Sequence, residues 1–119
     1  MRVLLVDDEK DLVTAMVERL GYRGVEADFA LEGKAALAKM RSSRYDLVLL
    51  DLILPGMPGV EVLREIRREH PSVPVIMITG HGAPADLPEH KAGGAYDCLA
   101  KPIDIDVLVT KMREAIDAT

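Results

Sequence analysis

One cysteine in 119 residues leaves no partner for an internal disulfide, and no cysteine and histidine spacing of the zinc-binding kind is present. Folding therefore needs neither an oxidising compartment nor a structural zinc, and a cytoplasmic setting is expected. Basic charge is not in surplus. With 20 acidic against 15 basic side chains the formal charge is −5, which offers no broad attraction to nucleic acid or anionic lipid. Direct nucleic-acid binding by this segment is not expected. No apolar stretch approaches the length of a membrane span, and the chain enters a strand-like run at Val3 without a basic leader, so neither membrane insertion nor export is expected. Internal repeats and low-complexity tracts are also missing. The remainder, 49% hydrophobic and 29% charged, is an ordinary globular composition, and 1–119 is expected to form one domain.

Strand-like and helix-like segments alternate along the chain with short turn-rich connections, which predicts βαβ units and a parallel sheet. A helix should follow Lys10, because Leu12, Met16 and Leu20 recur beside Val13 and Val17, and Gly21 supplies a stop. Val25 to Phe29 is a more polar strand suited to an edge. Leu31 to Arg41 carries Ala36, Leu37 and Met40 at helical spacing, and Val60, Leu63 and Ile66 define a third helix. Between Leu52 and Gly59 the chain is too rich in Pro and Gly for regular structure. The last helix should begin near Asp104 with Ile103, Val107, Leu108, Met112 and Ile116 inward and Asp106 near its positive end. A further helix between Thr79 and the last strand is expected to be short or displaced, since Pro88 would break it soon after Pro84 and only Leu87 is bulky and apolar. Met40, Met77 and Met112 read as core.

Four apolar runs end in polar residues of particular kinds. Val3-Leu4-Leu5-Val6 ends in Asp7-Asp8, Leu47-Val48-Leu49-Leu50 in Asp51, Val75-Ile76-Met77-Ile78 in Thr79, and Tyr96-Asp97-Cys98-Leu99-Ala100 in Lys101. Right-handed crossovers put the carboxyl ends of parallel strands on one edge, where open α/β sheets bind ligands. In the strand order 2-1-3-4-5, Asp51 would sit centrally, with Asp7 and Asp8 on one side and Thr79, then Lys101, on the other. Clustered carboxylates repel one another, and a hard divalent cation held by oxygen relieves them; Mg2+ suits an open acidic crevice because it keeps positions for water and phosphate oxygens. An aspartate beside such a cation is a plausible nucleophile toward phosphorus, with an ammonium, a hydroxyl and backbone N–H groups as donors to the phosphoryl oxygens. No base is needed, because an ionised carboxylate carries no proton.

Each signal alone has a blander explanation. Asp-Asp after a strand often caps a turn, a strand-end Thr bonds to backbone, and a lone Lys is a solvated charge. Asp51 is harder to dismiss, because it closes a continuous apolar run where charge is costly. His81 and His90 read as polar loop residues and His70 as surface; Cys98 reads as a small buried filler.

Together, Val6-Asp7-Asp8-Glu9, Leu50-Asp51-Leu52 with Leu54-Pro55-Gly56-Met57-Pro58-Gly59, Ile78-Thr79-Gly80 and Lys101-Pro102 resemble the motifs of receiver domains of two-component response regulators, over the whole chain. The resemblance implies a flavodoxin-like three-layer α/β sandwich, with a five-stranded parallel sheet in order 2-1-3-4-5 and helices on both faces. It implies Asp51 as phosphoacceptor, Asp7, Asp8, Asp51 and the Ile53 backbone carbonyl as Mg2+ ligands, Thr79 as switch hydroxyl, Lys101 as phosphoryl partner, and a cis bond before Pro102. It further implies a sensor histidine kinase as donor and an effector domain or downstream protein, such as a transcriptional one, as recipient. A homodimer on phosphorylation, through the last helix with Val109, is another implication. One position departs: the family usually carries Tyr or Phe three residues before the lysine, where this chain has Cys98. Tyr96 could point to the same face, or the segment from Gly80 to Gly93 could move in place of an aromatic rotor. The competing readings are a haloacid-dehalogenase-like phosphohydrolase, disfavoured because Ile53 stands where such enzymes place a second Asp, and a docking pseudo-receiver, disfavoured because Asp8, Asp51 and Lys101 are all present.

Overall fold

A computed structural model of the protein describes residues 1–80 and 93–118. Strands β1 (Arg2–Val6), β2 (Glu26–Ala30), β3 (Leu47–Asp51), β4 (Val75–Thr79) and β5 (Asp97–Ala100) alternate with helices α1 (Lys10–Tyr22), α2 (Gly33–Ser42), α3 (Gly59–Glu69) and α4 (Ile105–Asp117). The expected element between Thr79 and β5, with His81, Pro84, Leu87, Pro88 and His90, lies outside the described residues. So does most of the segment expected to move.

The five strands are all parallel and lie in the order β2-β1-β3-β4-β5. Every residue of β3 and β4 is buried, which is why those runs show no polar alternation: a parallel strand covered on both faces needs apolar side chains on both. Beneath α2 and α3 lie Leu4, Val6, Val48, Leu50, Val75, Met77 and Cys98. Val3, Leu5, Leu47, Leu49, Ile76 and Ile78 face α1 and α4 on the other side. Fully buried side chains of this size each stabilise the fold by roughly 1.5–3 kcal/mol, so the strands rank among its most firmly held parts. The more polar β2 is an edge strand, as its sequence suggested.

Several local expectations need correction. Helix α1 continues through Gly21 to Tyr22, and α2 begins at Gly33 rather than Leu31. The inner face of α4 is Leu108, Met112 and Ala115; Val107 is turned outward and 50% exposed. The helix is phased by Asp104, whose side chain accepts hydrogen bonds from the N–H groups of Asp106 and Val107 at 2.9 and 3.1 Å. That cap is worth about 1 kcal/mol, and it leaves Val107 on the arc away from the sheet. Val109 is half-buried against the core on the α1 side. His70 is half-buried as well, closing α3 through its N–H to the Ile66 carbonyl at 2.7 Å. Among the described residues, no helix is long and apolar enough to cross a membrane.

Candidate functional site

The sheet fixes the backbone at its carboxyl edge. Asp7 N–H donates to the Ala30 carbonyl at 3.1 Å, Leu52 N–H to Ile78 at 2.9 Å and Lys101 N–H to Thr79 at 3.0 Å. Each strand therefore keeps its neighbour's register up to the residue that carries the chemistry. Past Asp51 the chain turns back over itself: Gly56 takes a φ of 76°, in the left-handed region where glycine is favoured, and Gly59 N–H donates to the Leu52 carbonyl at 3.0 Å. A Cβ on Gly59 would lie 2.5 Å from the carbonyl oxygens of both Asp51 and Leu52. Only glycine lets α3 start this close to the end of β3.

Asp7 and Asp51 are buried, at 8% and 6% exposure, and Asp8 is exposed. One carboxylate oxygen from each of Asp7, Asp8 and Asp51 lies within 4.8 Å of the others. Lys101 reaches this group from β5, its Nζ 3.1 Å from Asp7 Oδ2, 3.1 Å from Asp51 Oδ2 and 2.9 Å from Glu9 Oε1. The second oxygens of the two buried aspartates are also engaged: Asp7 Oδ1 accepts from Glu9 N–H at 2.9 Å, and Asp51 Oδ1 from Ile53 N–H at 3.0 Å. Thr79 is fully buried at the end of β4, its hydroxyl donating to the Leu99 carbonyl at 3.4 Å.

Burial pushes the Asp7 carboxyl above the ordinary aspartate value and the charge of Asp51 adds to it, against the opposing pull of Glu9 N–H and the Lys101 ammonium. Burial works against charge on Lys101 too, but hydrogen bonds to Glu9, Asp51 and Asp7 outweigh it and raise the ammonium above the ordinary lysine value. Lys101 thus stays charged. Three carboxylates hold this one ammonium and a fourth, that of Asp8, lies beside two of them, an excess of negative charge that a hard cation would offset. The oxygen-only donor set of Asp7, Asp8 and Asp51 suits magnesium or calcium rather than a thiophilic metal.

Residues from four separate strand ends, Asp7 with Asp8, Asp51, Thr79 and Lys101, are thus brought to one edge of the sheet. The Ile53 side chain projects outward at 72% exposure. The Lys101–Pro102 bond is cis. Cys98 is buried at 4% exposure, whereas Tyr96 lies before β5 begins and is 38% exposed. Tyr96 thus stands outside the packed layer that holds Cys98 and does not fill the aromatic position there. Sequence reasoning gave no role to Glu9, although it is the nearest of the three carboxylates on Lys101; its signal was the third consecutive acid after β1.

The sequence profile described as response regulator receiver domain matches residues 3–113. The transcriptional regulatory protein TcrA of Mycobacterium tuberculosis is 36% identical over 113 residues, covering 95% of this chain and 45% of that protein. The response regulator ArlR of Staphylococcus saprophyticus is 37% identical over 115 residues, covering 94% of this chain and 50% of its own length. The chain thus spans about half the length of these relatives. Among solved structures, the receiver domain of NtrX from Brucella abortus superimposes with a TM-score of 0.90 at 34% identity, covering 98% of this chain and 99% of that one.

Proposed function

The chain belongs to the response regulator receiver family, the phosphoacceptor switches of two-component signalling, and from that premise we propose that Asp51 is its phosphoacceptor. The supporting observation is the convergence on the buried Asp51 carboxylate of an ammonium at 3.1 Å and a backbone N–H at 3.0 Å, beside one buried and one exposed aspartate. An Asp51 oxygen attacks phosphorus in line, a P–O bond forms, and the bond from phosphorus to the donor's imidazole nitrogen breaks. Lys101 then donates to a phosphoryl oxygen, and Thr79 leaves the Leu99 carbonyl to donate to another. Asp7, Asp8 and Asp51, with the Ile53 carbonyl, are the residues that would hold Mg2+. Bound there, the ion neutralises charge on the transferring group.

The donor in this reading is a phosphohistidine on a sensor kinase in the cytoplasm, and the recipient is an effector domain or partner, transcriptional in many relatives. Self-phosphorylation from small donors and loss of the group by hydrolysis are the only turnover assigned to the domain. Dimerisation on phosphorylation would use Val107, exposed on α4, rather than Val109. Acetyl phosphate with Mg2+ tests the reading: intact-mass analysis should show one added phosphoryl group, lost in Asp51→Asn. Sustained phosphate release would favour a hydrolase, and no label would favour a docking module.

A further inference from the structure

We propose that Glu9 is a positioning residue, the releasable anchor that holds Lys101 at rest and lets it go to an incoming phosphoryl group. This rests on Asp51 being the phosphoacceptor. An ammonium carries three N–H donors, and Lys101 Nζ faces three carboxylates at 2.9–3.1 Å, from Glu9, Asp7 and Asp51. No donor is spare, so a phosphoryl oxygen can gain one only when a partner releases it.

The three partners differ in what release would leave behind. Asp51 is the group being modified. The Asp7 side chain is 11% exposed and its other oxygen is already held by Glu9 N–H at 2.9 Å, so it cannot swing out into water when Lys101 leaves. The Glu9 side chain is 61% exposed and can return to water at little cost. Its backbone need not follow, since Glu9 N–H is fastened to Asp7 Oδ1 at 2.9 Å. Glu9 stands at the N-cap of α1 without a side-chain capping bond, so neither substitution removes a cap from the helix.

The test compares wild type, Glu9→Gln, which removes the charge at constant length, and Glu9→Asp, which keeps the charge but falls short by one methylene. Labelling by acetyl phosphate at saturating Mg2+ should quicken in both variants by about two- to fivefold, the upper part of the range measured for surface ion pairs, since only the Glu9 side of this pair is exposed. NMR relaxation at the Lys101 Cε should report a more mobile side chain in both. If Glu9 acted only through its field, Glu9→Asp would match wild type while Glu9→Gln quickened, and the anchor would be overturned. Wild-type rates or unchanged Lys101 mobility in both variants would overturn it too. No label on Asp51 in any of the three proteins would sink the phosphoacceptor reading and the hand-over with it, whereas wild-type labelling in both variants sinks the hand-over alone.

Discussion

Replacing Gly59 by alanine sets two effects of opposite sign against each other. Alanine at the first position of α3 improves helix propensity and reduces the entropy of the unfolded chain, together worth about 0.5–1 kcal/mol of stabilisation. Against this, the new methyl carbon would sit 2.5 Å from the carbonyl oxygens of Asp51 and Leu52 and 2.8 Å from the Leu52 carbonyl carbon. These are backbone atoms held by the sheet, since Leu52 N–H is bonded to Ile78, and they cannot rotate away as a side-chain tip would. Relief requires moving the start of α3 by most of an ångström. Such overpacking costs about 1–3 kcal/mol, and weakening the Gly59 N–H bond to Leu52 removes about 1 kcal/mol more. The net expectation for Gly59→Ala is a loss of about 2 kcal/mol, a drop in the urea midpoint of roughly 1 M at the slopes usual for small domains. Far-UV circular dichroism suits the measurement, as the chain has no tryptophan. A variant as stable as wild type, or more so, would mean that the loop after Asp51 yields freely and that Gly59 does not set its approach to α3.

Two further perturbations probe other parts of the molecule. If Asp7, Asp8 and Asp51 hold a divalent cation, Mg2+ at roughly two- to tenfold over its Kd should stabilise the wild type by about 0.6–1.4 kcal/mol; Asp8→Asn should abolish the gain, and equal Mg2+-induced shifts in thermal melts of both proteins would remove Asp8 from the ligand set. Beside edge strand β2, the Tyr45 hydroxyl donates to Asp28 Oδ2 at 2.8 Å, and Tyr45→Phe should destabilise by about 1 kcal/mol at neutral pH. Burial opposes the Asp28 charge, but Tyr45, Lys39 and the Phe29 N–H outweigh it and lower its pKa from 3.8. The stability it contributes is therefore complete above 3.8 and lost as pH falls through the native value, so the Tyr45→Phe deficit should narrow in acid. Burial and Asp28 push the Tyr45 phenol up from 10.0 to about 12, so the wild type should lose stability between those values on a limb that Tyr45→Phe lacks. Urea midpoints across pH would check both limbs, and a deficit constant from pH 3 to pH 12 would refute the pairing.

Legibility from sequence followed burial. Strands β3 and β4 are buried at every position and showed as uninterrupted apolar runs; once alternating elements implied a parallel sheet, the polar residues ending those runs had to share one edge. What could not be read depends on contacts without a local signature. On α4, Leu108, Met112 and Ile116 lie inward as their spacing predicts, but bulky Val107 is exposed while the small Ala115 is fully buried, a choice that side-chain size does not signal. Helix α1 runs one residue past the stop expected at Gly21, and α2 starts at Gly33, two residues after Leu31, because a glycine fits inside a helix's terminal turn as well as beyond it. The hold of Glu9 on Lys101 joins residues 92 apart in sequence, and no periodicity encodes it. Asp7 and Lys101 stand one residue past their strands, while Asp51 and Thr79 are the last residues of theirs. A one-residue slip of β3 against β4 would carry Asp51 to the other face together with its whole apolar set. Because β3 is apolar on both faces, hydrophobicity alone would tolerate that slip; the close packing of Leu47, Val48, Leu49 and Leu50 in their own sites and the Leu52 N–H bond to Ile78 oppose it, and the same contacts aim the Asp51 carboxylate.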